Sequence, residues 1–362
     1  MNGISLYLHI PFCVRKCNYC AFYSLPGVTE DTKDAYLEAL EKQADSFPEH
    51  REVCSVYFGG GTPSLFGAGR LSELLAFLRT RFFIREDAEI TLEVNPGTVD
   101  LPFLQEVKQA GFNRLSIGMQ SGCDKELAFL GRIHTADMVR DCVANAREAG
   151  FDNISLDLIF ALPGQSKEAF ASSLDTAFAL RPDHLSVYSL QLEEGTPFFA
   201  QRTSLTFPTE EEEEGQYQLL CQKAREAGFE HYEISSFAKD GKYSRHNLHY
   251  WQRGEYLGFG PAAHSHWNGK RFSNHPDLEG YIADPLGCND YKKAERIDET
   301  ESWEEDVMLG LRTSFGIPAH LVPAHPVERM IALGLMERRG ENVALTETGF
   351  RVSNAVIGQL LL

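Results

Sequence analysis

The sequence predicts an α/β protein: six parallel strands joined by crossover helices into a partial (β/α)6, TIM-like barrel, followed by a small winged-helix-like α+β domain. Two observations predict the barrel. Apolar, β-branched runs recur at 4–10, 53–58, 88–94, 114–119, 154–160 and 184–190. Segments with helical spacing of apolar residues lie between them, at 30–47, 70–82, 101–110, 136–149 and 167–180. Alternation on this scale is the pattern of a parallel sheet with crossover helices, and six units stop short of the eight of a closed barrel. A third observation predicts the tail. Helix patterns at 303–312 and 326–335 precede a hairpin pattern at 336–345, around Arg339, Gly340, Glu341 and Asn342, and a last helix at 347–361.

Taken in order, the elements have local reasons. In the first helix Tyr36, Leu37, Leu40 and Ala44 form one stripe, as an amphipathic helix on a sheet requires. A further helix is expected at 210–227. Thr209 and Glu212 have the spacing of a capping box, and the acid run 210–214 puts negative charge at the positive end of the helix dipole. That run therefore reads as a helix start rather than a binding site. From 235 to about 291 the periodicity fails, and Gly, Asn, His and aromatics dominate, as in an irregular, functionally loaded segment. Three units follow: a barrel over 1–235, an irregular His- and aromatic-rich segment over 236–295, and a winged-helix-like domain over 296–362.

Composition narrows the function. The 362 residues are 43% hydrophobic, enough for a large core, which excludes wholesale disorder. Lys plus Arg number 34 against 52 Asp plus Glu, a net charge of -18. Non-specific nucleic-acid binding needs the opposite sign, so DNA contact by the tail is disfavoured. No run reaches the ~18–20 apolar residues of a membrane span. The first residues lack a basic region, apolar run and cleavage site. A cytoplasmic protein is expected, with at most peripheral contact to membranes. Eight cysteines are unevenly placed: Cys13, Cys17 and Cys20 together, and Cys54, Cys123, Cys142, Cys221 and Cys288 singly. This is not a disulfide framework.

The spacing of Cys13, Cys17 and Cys20 is C-x3-C-x2-C, directly after the first strand. Three thiolates on one loop can hold three corners of a [4Fe–4S] cubane and leave one iron open. A zinc site with His9 as fourth ligand is the alternative, but zinc sites usually pair C-x2-C with a distant second pair, which is missing. Polar residues at the strand ends point to a ligand beside the loop. Strand two ends in Gly59-Gly60-Gly61-Thr62-Pro63, strand three at Glu93, strand four at Gln120; strand five contains Asp157, and strand six leads to Gln191. A carboxylate such as Asp157 inside an apolar strand is costly unless paired. A structural ion pair with Arg132 would explain it alone, but repetition at successive strand ends favours a binding site.

The string from Tyr7 through the three cysteines resembles the radical S-adenosylmethionine (SAM) superfamily. The resemblance implies that SAM chelates the open iron and is cleaved to a 5′-deoxyadenosyl radical. Within that superfamily, Gly59-Gly60-Gly61-Thr62-Pro63 is similar to the coproporphyrinogen III oxidase type. It implies that Tyr7, Gly60 and Glu93 contact the SAM on the cluster. Gly61, Thr62, Gln120, Arg132 and Asp157 match contacts to a second SAM in that oxidase. Two departures separate the chain from the oxidase: Phe22 stands where the oxidase has a fourth cysteine, and only six residues precede Tyr7.

Both departures match the HemW family of haem chaperones, which this chain resembles over nearly its whole length. The matching strings include Leu130-Gly131-Arg132-Ile133-His134, Leu162-Pro163-Gly164-Gln165 and His246-Asn247-Leu248-His249-Tyr250-Trp251, the H-N-x-x-Y-W signature. Ala161 departs from a more usual glycine. The resemblance implies a [4Fe–4S] cluster, SAM and haem as cofactors. The implied partners are haem-acceptor proteins and an electron donor for the cluster, in a monomer or homodimer. The chemistry of the signature region is consistent with haem. Six of the 12 histidines fall between His231 and His275, interleaved with Tyr243, Tyr250, Trp251, Tyr256, Phe259 and Trp267. Imidazole is an axial haem ligand and aromatic faces pack on porphyrin. His246 and then His249 are the expected ligands, with Tyr250 and Trp251 beside them, His264 as another choice, and Arg245 and Arg253 on the propionates. The complete cysteine motif leaves SAM cleavage open, whereas the missing fourth cysteine and short N-terminus count against oxidase activity.

Overall fold

The computed structural model describes residues 3–47, 50–294 and 296–361. Six strands form its centre: β1 (Ile4–Ile10), β2 (Glu52–Gly60), β3 (Phe83–Val94), β4 (Arg114–Gln120), β5 (Ile154–Phe160) and β6 (His184–Ser189). They pair side by side in chain order, each parallel to the next. The connections are α1 (Glu30–Asp45), α2 (Ala68–Arg81), α3 (Leu101–Ala110), the pair α4 (Asp124–Leu130) and α5 (Ala136–Glu148), and α6 (Lys167–Ala179). Ser and Thr or Asp side chains cap most of these starts: Thr29, Asp100, Thr135 and Ser166 each accept from the third residue on, as N-caps do.

Successive strand residues face opposite ways, and here the two faces have different chemistry. Leu6, Leu8, Val56, Phe58, Leu92, Ile117, Leu156 and Leu185 pack under the helices in one buried cluster with Leu40, Leu74, Val107, Val139 and Leu174. Each such side chain contributes about 1.5–3 kcal/mol. The alternate residues are polar: Ser5, Tyr7 and His9 on β1, Ser55 and Tyr57 on β2, Glu89, Thr91 and Glu93 on β3. Arg114 and Ser116 follow on β4, Ser155 and Asp157 on β5, and His184 and Ser186 on β6. Strands in parallel sheets are usually apolar on both faces. A polar inner face needs internal partners, and most of these groups have them. Ser5 and Ser55 share a hydrogen bond of 2.7 Å, Ser155 meets His184 Nδ1 at 2.8 Å, and Ser116 donates to Asp157 at 2.9 Å.

After α7 (Pro197–Ala200), helix α8 (Glu210–Glu226) begins with both halves of the expected capping box. The segment expected to be irregular is largely regular. It contains β8 (Ser236–Ala238), which with β7 (Glu230–Glu233) extends the sheet antiparallel beyond β6. It also contains α9 (Arg245–Trp251), β9 (Tyr256–Phe259), β10 (His264–Trp267), β11 (Lys270–Ser273) and α10 (Leu278–Ala283). Strand β9 adds a seventh parallel strand, beside β1. Strands of three or four residues are too short to show a period of two, so pairing with the barrel edges forms them where local pattern does not.

The tail has its own core. Helix α11 (Glu299–Gly310), β12 (Ile317–Pro318), α12 (Ala324–Ala332), the hairpin β13 (Met336–Arg339) and β14 (Asn342–Leu345), and α13 (Glu347–Arg351) and α14 (Ser353–Leu360) enclose Val307, Leu311, Val327, Val343, Phe350 and Ile357. The expected last helix breaks at Val352. Arg253 donates to Asp306 at 2.6 Å and Arg271 to Glu305 at 2.6 Å, and the Ser314 N–H donates to Tyr232 at 2.8 Å, joining tail to barrel. Among the described residues no helix is long and apolar enough to cross a membrane.

Candidate functional site

A cavity of about 440 Å³ opens at the C-terminal end of the six strands. Cys13, Cys17 and Cys20 all line it, as do Gly60, Gly61, Thr62, Glu93, Gln120, Arg132, Asp157 and Gln191. Residues far apart in the chain meet there because the strands run parallel and end on one side.

The cysteine loop is pinned from two sides. The two-residue ribbon Phe12–Cys13 pairs with Leu25–Pro26. The Gly61 and Thr62 N–H groups donate to Ile10 and Phe12 carbonyls at 2.9 and 2.7 Å. On the far side Arg15 donates to the Gly131 carbonyl at 2.7 Å and Asn18 to the Phe129 carbonyl at 2.8 Å. The glycine run is what lets β2 come this close. Gly60 has φ +112°, and a Cβ there would lie 2.6 Å from the His9 ring; one at Gly61 would lie 2.8 Å from the Phe12 carbonyl. The run is therefore a close-packing device as well as a cavity wall.

All three thiols are free and partly exposed. Thr62 Oγ1 lies 3.6 Å from Cys13 Sγ, and Arg132 Nη1 donates to Cys17 Sγ at 3.6 Å. Burial pushes the Cys20 thiol pKa up, so a metal must drive its ionisation. Among the described residues no three His, Cys, Asp or Glu side chains converge on a point that could hold a single ion. The zinc alternative also loses its fourth ligand. His9 is buried, with Nδ1 3.1 Å from the Tyr7 hydroxyl and Nε2 2.8 Å from the Tyr23 carbonyl. Three separated thiols on one loop fit the corners of a [4Fe–4S] cluster.

The rest of the cavity suits a ligand with both cationic and anionic groups. Glu93 accepts from Tyr57 at 2.7 Å and from the Gly60 N–H at 3.1 Å; burial raises its pKa to about 7. Asp157 accepts from Ser116 and, at 3.3 Å, from Ser155, and burial raises its pKa too. It is not paired with Arg132, whose Nη2 donates to Asn95 and to the Gly118 carbonyl. Arg132 Nε is buried with no partner, and so is Nε of Arg114 on the cavity floor. Unsatisfied buried donors of this kind mark a place for an acceptor. The donor set thus fits SAM, with its ammonium, carboxylate and sulfonium groups. Tyr7 is the exception among the expected contacts. It is not in the cavity wall; its hydroxyl bonds His9 and its ring stacks on Tyr57 at 6.2 Å.

The H-N-x-x-Y-W residues require a correction. Helix α9 plugs the opposite, N-terminal end of the barrel. His246 is 1% exposed, with Nδ1 2.9 Å from Ser55 Oγ, Nε2 2.7 Å from Tyr250 Oη, and its ring stacked on Tyr57 at 4.9 Å. His249 is also 1% exposed; its Nε2 meets the Glu255 carbonyl at 2.8 Å and its Nδ1 faces Cys54 Sγ at 3.9 Å. Neither ring keeps a nitrogen for iron, and burial lowers the His246 pKa. Tyr250 is bound to His246, and Trp251 packs with the Tyr232 cluster. The cations expected on propionates are also paired with carboxylates: Arg253 with Asp306, and Arg245 with Asp87 at 3.7 Å. These are core groups that fill the lumen. Asn247 is the one member of the signature in the cavity wall.

Sequence reasoning missed Tyr57, Asn95, Arg114, Ser116, Ser186 and Asn247, which also line the cavity. Five of these six lie on or just past strands, and a signal for four of them was present. Polar residues at every second position of strands that should be apolar on both faces mark an inner wall.

The comparisons agree with this geometry. The profile of the Radical SAM superfamily matches residues 7–177. The chain is 34% identical to the heme chaperone HemW of Mycobacterium tuberculosis, covering 98% of this chain and 94% of that one. It is also 34% identical to HemW of Bacillus subtilis, covering 99% of each. Its fold matches the structure of coproporphyrinogen III oxidase (HemN) from Escherichia coli with a TM-score of 0.84 at 24% identity, covering 99% of this chain and 90% of that one. With this coverage and identity, the chain belongs to the HemW family of the radical SAM superfamily.

Proposed function

We propose that this protein is a haem chaperone that binds haem and hands it to acceptor proteins, with a [4Fe–4S] cluster and SAM held in the barrel cavity. Full-length relatives carrying the heme chaperone name support the reading. The observation that carries it against the oxidase alternative is Phe22. This side chain is 68% exposed at the cavity, at the position where the oxidase has its fourth cysteine.

When bound, the cluster supplies an open iron for SAM and an electron to it. The protein's part is binding and exclusion. Cys13, Cys17 and Cys20 hold the cluster, and Arg132 balances the charge beside Cys17. Glu93 and Asp157 offer carboxylates to the cationic end of SAM, and the backbone of Gly60 to Thr62 forms the adjoining wall. A pKa of about 7 lets Glu93 carry or release a proton near neutrality. All eight cysteines are free thiols, which suits a reducing, cytoplasmic setting and an electron-donating partner there.

The test is anaerobic reconstitution of the cluster, titration with haem, and transfer to an apo-haemoprotein. One haem per chain and transfer to the acceptor are expected. Absence of haem binding, or decarboxylation of coproporphyrinogen III under reducing conditions, would overturn the reading.

A further inference from the structure

We infer that haem docks on the lip of the barrel cavity, its porphyrin face lying across Val14, Phe22, Ile133 and Tyr188 and its propionates on Arg15 and Lys16. The inference rests on the haem-chaperone reading and places the haem at the opposite end of the barrel from His246.

Exposure is the first reason. Val14 is 55% exposed, Phe22 68%, Ile133 47% and Tyr188 44%, and all four line the same cavity. Single exposed apolar side chains are ordinary, but a group of them around one opening marks a binding surface. They come from different parts of the chain: the cysteine loop, the turn after α4, and the end of β6. No helix stripe or sheet face accounts for their meeting. Phe129, on α4, is a further exposed aromatic at 37%.

Charge is the second reason. In a chain of net charge -18, two adjacent cations, Arg15 and Lys16, stand on this lip. Among the described residues neither makes an ion pair, and the bonds of Arg15 to the Gly131 and Arg132 carbonyls both come from Nη2 and leave its charge unpaired. A flat apolar ligand with a carboxylate edge matches a group of exposed apolar side chains with cations beside it. Shape is the third. Beyond the lip residues, the wall of this cavity of about 440 Å³ is made of polar strand-end groups such as Glu93, Gln120 and Asp157. That volume and those polar groups suit a nucleoside-sized ligand rather than an apolar macrocycle. Haem on the lip and SAM among the strand ends are therefore compatible, and bound haem covers the exit of SAM.

The experiment uses the full chain with its cluster reconstituted, titrated with haem by absorption, together with the Phe22→Ser and Ile133→Ser variants. Each should weaken haem binding by about tenfold, the scale of one lost apolar contact. Because both side chains are exposed, the melting temperature should stay unchanged. Haem should also slow dissociation of prebound SAM from the native chain. Native haem affinity in both variants, with SAM release unaffected by haem, would overturn the inference and leave the chaperone reading standing. A native chain that binds no haem would overturn both.

Discussion

The cysteine loop and the H-N-x-x-Y-W helix are the two segments of this chain that look most like ligand sites in sequence, and the fold treats them oppositely. The thiols of Cys13, Cys17 and Cys20 are free, partly exposed and on a cavity. The imidazoles of His246 and His249 are 1% exposed and bonded at both nitrogens. Residue type alone does not separate a ligand from a core group; unmet bonding capacity does. The same test separates Arg132, with a buried Nε lacking a partner, from Arg253, whose fork is spent on Asp306.

The comparison is broken most severely by losing the loop. Cys17→Ala should abolish the visible absorption of the reconstituted cluster while far-ultraviolet circular dichroism stays native, because the side chain is not in the core. His246→Ala should do the reverse. It strands the Tyr250 hydroxyl, leaves Ser55 bonded to Ser5 alone and opens a cavity, so urea denaturation should show a loss of about 3–5 kcal/mol with cluster content retained. A fully stable His246→Ala protein would mean that the plug is not structural.

A third effect sits on the cavity side. The Glu93 carboxyl pKa is raised by burial from its ordinary value to about 7. A raised folded pKa means that the folded state holds the proton more tightly. The associated stability is present below about pH 4.5 and is lost as pH rises through 7. Glu93→Gln should therefore make the ligand-free protein about 2–3 kcal/mol more stable at pH 8, with little change at pH 4.5. Denaturation curves at the two pH values check this, and equal shifts at both would contradict it. The smallest effect concerns backbone strain at the same end. Ala161 has φ +58° at the end of β5, a left-handed conformation that costs a non-glycine residue about 1 kcal/mol. Ala161→Gly should recover about 0.5–1 kcal/mol in a thermal melt; a loss of stability would mean that the Ala161 methyl packs to advantage.

Much of this was legible before the structure. The six barrel strands and their helices follow from periodicity, since long elements bury enough of one face to write a pattern. Cys13, Cys17 and Cys20 follow from spacing, and Glu93, Gln120 and Asp157 from polarity at strand ends. The short strands β8 to β11 do not, because sheet pairing forms them: β8 on β6, β9 on β1, and β10 and β11 in turn beyond β9. Nor does the fate of His246, because Ser55, Tyr57 and Glu89, which enclose it, lie more than 150 positions away in the chain. Arg114 and Ser116 were legible in principle, through their alternation with Leu115 and Ile117, but only once the inner face of the sheet is taken as a cavity wall.

The most direct measurement is the absorption spectrum of the haem complex of His246→Gln, a change that retains groups able to bond Ser55 and Tyr250. If the histidine is a core group, the Soret band keeps its native position and the haem stoichiometry is unchanged. A shifted or absent Soret band in a folded, cluster-loaded protein would make His246 an iron ligand and contradict the division of the barrel into a binding end and a plugged end.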